Sequence, residues 1–425
     1  MKKTLRWAVI VMLGLTFVPA RAQGGEWRVT AARAMEVDNV IVSHILMAPD
    51  GVHLAYERRD EQGNNRKLCT RLVTFALETC LDLPEGFPTG LLPEAYFQSI
   101  TWSPDSTKLA VVGNPLRFLV DTDLWIVDLS QRTLTNLTDD HYQGKLFPPD
   151  QSMAGASVEI QPTWSPDSQR IAVERTILDQ TGNFGQSTIS IIEVATGEIR
   201  DVTLLPGHEV YQRDVGSVLS MSWLPDQSAL ALALRHVKLE PDYDGIWQVS
   251  VSDGKLQQLV RVADALPAFN SVAGEAEIFA VGPASWSPDG SSLLFWMGDP
   301  GSLAGVVWGF WLDVKSGAIE PFPLPEGSGA SQGRPPVSPL QAVWSPDGML
   351  LVAERYLNAP GDSTPTYLDP ANPSLDVGIR LIDTATGQAT LLGYLPAIPA
   401  APFAAVWGPE NDVLLDGYHL ILANG

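Results

Sequence analysis

Cysteine is almost missing from this chain: among its 425 residues only Cys69 and Cys80 carry thiols. The six histidines, at 44, 53, 141, 208, 236 and 419, include no pair at helix spacing, and no further cysteine joins them, which argues against a structural zinc site. Positive charge is scarce too, with 27 Lys and Arg against 49 Asp and Glu and a net charge of −22. Nucleic acid is bound by Lys and Arg that release counterions from phosphates, so a surface this acidic excludes it as a natural partner. Basic partners and hard cations remain compatible with the charge. Beyond the first 22 residues no long apolar run occurs; Pro396, Pro399 and Pro402 interrupt the best stretch, well short of the roughly 20 residues a spanning helix requires.

The amino terminus is the exception. Lys2, Lys3 and Arg6 precede an uncharged run from Trp7 to Val18, and Ala20-Arg21-Ala22 follows. This is the pattern of a secretory signal peptide cleaved after Ala22, with Gln23 as the first mature residue. Cleavage removes Lys2, Lys3, Arg6 and Arg21 and no acid, so the net charge of −22 becomes −26. A periplasmic or secreted bacterial protein, not inserted in a membrane and monomeric, is expected.

In an exported protein an even cysteine count suggests a disulfide. Cys69 and Cys80 lie in a hairpin whose midpoint falls near Thr74 and Phe75, so they sit opposite each other. A cross-strand disulfide is expected, with two free thiols as the alternative.

What the sequence does have is a repeat. Trp-Ser-Pro-Asp-Gly stands at 286–290 and 344–348, with relatives at Trp102–Ser106, Trp164–Ser168, Trp223–Gln227, Trp407–Asn411 and Met47–Gly51. The prolines at 49, 104, 166, 225, 288, 346 and 409 are 55, 62, 59, 63, 58 and 63 residues apart. Each copy precedes an apolar run such as Leu109–Val112 or Ile171–Val173, which reads as strand, tight turn, strand. A second hairpin follows in each unit, as in Ile189–Val194 with Ala195-Thr-Gly197, or Ile379–Asp383 with Ala385-Thr-Gly387. Two hairpins make four antiparallel strands, one propeller blade.

These residues resemble the WD-repeat-like Asp-Pro blades of the TolB type, which also occur in the propeller domains of prolyl oligopeptidases. The resemblance implies an all-β fold: a seven-bladed β-propeller of four-stranded antiparallel blades over 23–425, with blades starting near 41, 97, 159, 218, 281, 339 and 402. The last unit lacks its fourth strand, and Glu26–Ala31 is an extended segment with no repeat of its own. We expect this amino-terminal strand to close the ring in the last blade, which removes an open sheet edge. Trp102, Trp164, Trp223, Trp286, Trp344 and Trp407 are expected to be core residues between blades.

Both hairpin turns of a blade open on one face. The long segments Asp139–Gln161, Leu204–Leu219, Val262–Ala284, Pro325–Leu340 and Arg355–Val377 all open on the other. Long loops on a rigid scaffold carry function. Candidate binding residues on that face are Asp139, Asp140, His141, Tyr142, His208, Asp242, Tyr243 and Asp244, with Asp121 and Asp123 nearby in sequence. Clustered carboxylates suit Ca²⁺, though none has the spacing of a twelve-residue calcium loop, and no cofactor is expected otherwise. Gly329-Ala-Ser-Gln-Gly333 matches a hydrolase motif literally but lies in a Gly/Ser/Pro loop without the strand and helix that motif needs. The expected function is an exported scaffold that binds a protein or carbohydrate through its long-loop face. The alternative is a metal-dependent polysaccharide lyase or hydrolase acting at the channel mouth.

Overall fold

A computed structural model describes residues 27–34, 41–59, 67–72, 78–84, 93–94, 97–98, 100–112, 122–141, 155–178, 184–206, 218–235, 242–273, 280–298, 307–321, 337–345, 347–356, 376–384, 386–396, 405–407, 412–415 and 418–424. Residues 1–22, expected as a signal peptide, and Tyr142, His208 and the 329–333 motif lie outside the described residues.

Seven four-stranded antiparallel sheets account for nearly all of the regular structure described. Sheet I comprises Ile41–Met47, His53–Arg59, Lys67–Leu72 and Glu78–Asp82. Sheet II comprises Ile100–Trp102, Lys108–Val111, Trp125–Asp128 and Thr133–Asn136. Sheet III comprises Ser157–Trp164, Arg170–Leu178, Phe184–Glu193 and Ile199–Leu204. Sheet IV comprises Val218–Trp223, Ala229–Leu234, Gly245–Ser250 and Leu256–Arg261. Sheet V comprises Ala280–Trp286, Ser292–Gly298, Val307–Asp313 and Ile319–Pro321. Sheet VI comprises Val337–Trp344, Met349–Tyr356, Asp376–Asp383 and Gln388–Pro396. In sheet VII, Ala405–Trp407, Asp412–Leu415 and Tyr418–Asn424 take Trp27–Ala34 as the fourth strand, with Val29 opposite Leu422. Within every other sheet the strands follow chain order.

Second strands carry apolar runs covered on both faces, broken in three sheets by Glu57, Glu174 and Glu354. In sheet II, Leu109 and Val111 pack with Ala55 and Leu68 of sheet I, while Ala110 and Val112 pack with Trp164 and Ile171 of sheet III. Sheet IV sorts side chains by size: Leu230, Leu232 and Leu234 face sheet III, and Ala231 and Ala233 leave room for Trp286, Phe295 and Phe310 of sheet V. Five of the six motif tryptophans are no more than 7% exposed; Trp344 is half-buried.

The repeated turn is held by its own side chains. Ser103 Oγ donates to Asp105 Oδ1 (2.6 Å) and accepts from the backbone N–H of Lys108 (2.9 Å), while Asp105 Oδ1 also accepts from the N–H of Thr107 (3.0 Å). The same set recurs at Ser165/Asp167 and Ser287/Asp289. Hydrogen bonds from Ser287 and Ser291 hold the Asp289 carboxyl below its ordinary value. The fifth motif residue is left-handed, with φ +70° at Gly290 and +61° at Ser168, so glycine fits best. Where serine stands instead it contributes a bond between sheets: Ser106 Oγ accepts from the N–H of Asp50 (2.9 Å) and Ser168 Oγ from that of Asp105 (3.0 Å).

One segment departs from the sequence reading. Val262–Ala284 was expected as a long connection, but Val262–Ala273 is an α-helix despite Pro267. Ala265 and Phe269 of this helix are buried in the core shared by sheets IV and V, with Phe269 stacked 6.2 Å from Phe310. Burial of that face outweighs the hydrogen bond the proline removes. Part of this connection, expected on the binding face, therefore serves packing. Likewise the Asp139–Gln161 connection is shorter than expected, since a strand starts at Ser157. Among the described residues no helix is long and apolar enough to cross a membrane.

Candidate functional site

Antiparallel order puts the first and third turns of sheets I to VI, and the first turn of sheet VII, at one end, and those turns are only four or five residues long. Connections at the other end reach 19 residues (357–375) and 20 residues (137–156). Bonds between successive motif turns, Asp50 to Ser106 and Asp105 to Ser168, keep the short-turn ends of sheets I to III together, so their long connections share the opposite face.

On that face, where sheet II meets sheet III, carboxylates converge that are far apart in sequence. Asp123 precedes the third strand of sheet II, Asp139 and Asp140 follow its fourth, and Glu159 stands in the first strand of sheet III. The backbones are joined first: Thr122 pairs with Val158, the Glu159 N–H donates to the Thr122 carbonyl (3.0 Å), and Thr122 Oγ1 donates to the Glu159 carbonyl (2.9 Å). Glu159, fully buried, receives Arg175 Nε on Oε1 and Thr138 Oγ1 on Oε2, both at 2.9 Å. Burial pushes its carboxyl up to about 7 against the pull of the Arg175 guanidinium.

Asp123 is 5% exposed, and Asn136 Nδ2 donates to its Oδ2 at 2.6 Å. Burial first, then the charges of Asp140 and Asp139, lift its carboxyl to about 6 in spite of the Asn136 bond. The Thr138 hydroxyl stands beside Asp123 but has one proton, and Glu159 takes it. Asp123 Oδ1 is thus buried without a hydrogen-bond donor. Asp140 Oδ2 accepts the Ser157 N–H (2.7 Å), while Asp139 Oδ1 accepts the N–H of His141 (2.9 Å). His141 itself is exposed, in a left-handed conformation at φ +76°, with Nδ1 3.6 Å from Asp139 Oδ1. Asn136 heads an Asn-Leu-Thr sequon, but its half-buried amide is committed to Asp123.

Asp242, Tyr243 and Asp244 form a separate group beside the third strand of sheet IV. Asp242 is exposed, Asp244 is 2% exposed, and the Tyr243 carbonyl accepts Trp247 Nε1 at 2.7 Å. Sequence reasoning missed Glu159, Thr138, Ser157 and Arg175. A signal existed: Glu57-Arg58, Glu174-Arg175 and Glu354-Arg355 stand at the same offset from their motifs. Of these, Glu57 and Glu174 are buried, and Glu174 Oε2 accepts the Val218 N–H (3.2 Å) at the start of sheet IV.

Cys69 and Cys80 face each other across the outer hairpin of sheet I and are joined as a disulfide, as their spacing predicts. With Glu78 they are the one group of three potential metal ligands found close together among the described residues. A disulfide sulfur lacks the thiolate charge a metal needs, and Glu78 receives Tyr56 and Arg58 instead, so this is a structural cluster.

No family model matches the sequence, and no curated protein matches it. Among solved structures the chain is similar to an oligogalacturonate lyase in complex with manganese, with a TM-score of 0.54 and 12% identity over 94% of this chain and 98% of that one. TolB from Acinetobacter baumannii gives a TM-score of 0.38 and 14% identity over 89% of this chain and 80% of that chain. The β-propeller domain of the Trilobed protease from Pyrococcus furiosus gives 0.47 and 12% over 88% and 90%. At such identities the likeness concerns fold alone, and with the stacked antiparallel sheets it makes this an all-β propeller.

Proposed function

We propose that this protein is an exported seven-bladed propeller, its ring closed by the amino-terminal strand, that binds a protein or carbohydrate partner on its long-loop face. The pairing of Trp27–Ala34 with Tyr418–Asn424 supports closure, and the Lys2-to-Ala22 pattern supports export to the periplasm or beyond. The observation that carries the binding reading is the unequal build of the two faces. One has turns of four or five residues, and the other has connections of up to 20 and the acidic group at Asp123, Asp139 and Asp140. A rigid scaffold that elaborates one face only is arranged for recognition there. The acidic group favours partners with basic or hydroxyl-rich surfaces.

Affinity capture from a bacterial envelope extract, together with a glycan array, tests this. Asp139→Asn with Asp140→Asn, or shortening of the Arg355–Val377 connection, should reduce the captured set, whereas Asp226→Ala on the short-turn face should not. A captured set unchanged by the long-loop variants would refute the reading.

The competing reading is a metal-dependent lyase or hydrolase at the channel mouth; its lyase form has a parallel in the fold neighbour described as an oligogalacturonate lyase in complex with manganese. It rests here on His141 and His208. A stoichiometric transition metal in the purified protein, lost in His141→Ala or His208→Ala, would favour it.

A further inference from the structure

Two devices tie neighbouring sheets together, and both occur at the same three seams. At I/II, II/III and III/IV the indole N–H of Trp102, Trp164 or Trp223 donates to a backbone carbonyl of the sheet before it. At these seams the fifth motif residue also reaches back by its side chain: Ser106 to Asp50, Ser168 to Asp105, and Gln227, whose Oε1 accepts from Arg170. These three residues hold φ at +60°, +61° and +63°, a left-handed conformation that strains any residue with a Cβ. In sheets I, V and VI the same position is glycine, at 51, 290 and 348, with no side chain to bridge. Between sheets IV and V other bonds take over: Ser220 Oγ accepts the Ala284 N–H (2.8 Å) and Ser222 Oγ that of Trp286 (3.3 Å). The V/VI seam has neither device, since Trp344 Nε1 is buried without a hydrogen-bond partner and position 348 is glycine. Apolar packing joins it, with Leu294, Trp296 and Trp311 of sheet V against Leu350, Val352 and Ile382 of sheet VI.

We infer that the seam between sheets V and VI is a compliant joint: sheets I to V move as one block, and sheet VI shifts against them. Apolar contact is non-directional, so two packed surfaces can slide without losing a specific bond. Motion at any seam from I/II to IV/V instead breaks at least two hydrogen bonds between sheets. The long-connection end of sheet VI, at Tyr356 and Asp376, thereby moves relative to that of sheets II and III, and the face they share adjusts its width to a partner. That use of the joint rests on the proposed binding face. The compliance itself does not, and it is measured with no partner present.

Native-state hydrogen exchange of the purified chain, read by mass spectrometry, tests the joint. The comparison is between matched first and second strands: Val337–Trp344 and Met349–Tyr356 in sheet VI, Ser157–Trp164 and Arg170–Leu178 in sheet III. Protection in sheet VI should be lower by at least about tenfold. Two variants then assign the difference to the seam. Gly348→Ser supplies a hydroxyl for the Asp289 N–H, as Ser168 does for that of Asp105. Gly348→Ala carries the same backbone strain without the hydroxyl, and a Cβ there meets nothing within 4 Å. Sheet VI should be about three- to tenfold better protected in Gly348→Ser than in Gly348→Ala. Equal protection in these two variants would overturn the inference. So would wild-type protection of sheet VI equal to that of sheet III, a comparison that stands alone should either variant fail to fold.

Discussion

The indole Nε1–H of Trp164 donates to the backbone carbonyl of Thr101, 3.2 Å away, the residue just before the preceding motif tryptophan, Trp102. Trp102 makes the same bond to Leu46 (3.3 Å), and Trp223 makes it to Thr163 (3.1 Å). Sheets I to IV are thus stitched in series by one device. Each tryptophan fills the apolar seam to the sheet before it and satisfies a carbonyl that the seam would otherwise bury. Trp286 fills the equivalent seam, but its buried Nε1 has no partner.

That difference predicts unequal costs for one substitution. Trp164→Phe keeps most of the apolar contact and strands the Thr101 carbonyl, so it should cost about 1–3 kcal/mol. Trp286→Phe should cost less, because it leaves a similar cavity but removes a donor that is already unmatched. Trp164→Ala should cost about 3–5 kcal/mol. Urea unfolding of the three variants checks the order.

Gly348 has φ +90°, and a Cβ placed there would meet nothing within 4 Å. Any loss in Gly348→Ala therefore reports backbone strain alone, about 1–2 kcal/mol. Thermal melts should show that loss with no change in the spectroscopic signature of the sheets.

The Glu159 carboxyl is raised from 4.5 to about 7, and that of Asp123 from 3.8 to about 6. A folded-state pKa above the unfolded one means that the folded chain holds the proton more tightly. The stabilising effect is full below the unfolded pKa and fades as pH rises through the folded one. In EDTA, this part of the stability should therefore fall between about pH 4 and pH 7. Glu159→Gln should flatten the fall, as urea unfolding at several pH values would reveal.

How far the sequence could be read depended on the distance between the cooperating residues. The motif turn was legible because Ser103, Asp105 and Thr107 complete it within five positions. Cys69 and Cys80 were legible because a hairpin fixes opposite partners by arithmetic. The acidic junction was legible only in part. Asp139, Asp140 and His141 were visible as a polar loop, but Glu159 sits in an apolar-looking strand and finds Thr138 and Arg175 21 and 16 residues away. Pro267 hid the helix, since only the burial of Phe269 against Phe310 explains why the segment stays helical.

The disulfide spans 11 positions, and loop entropy assigns it about 2–3 kcal/mol. Cys69→Ala with Cys80→Ala should lower the melting temperature while leaving partner capture intact, because the pair lies in the outer hairpin of sheet I. A comparison of melts and capture for the variant and wild type measures both effects.

The proposed ring closes where Trp27–Ala34 pairs with Tyr418–Asn424, and the proposed binding face depends on that closure. Arg28 lies opposite Ala423, and directly paired residues hold their Cβ atoms about 4.5–5.5 Å apart. In the purified chain under oxidising conditions, Arg28→Cys with Ala423→Cys should form a disulfide within one molecule, read by mass spectrometry of a non-reduced digest. A crosslink between molecules, or two free thiols at these positions, would contradict the closed ring and the surface assigned from it.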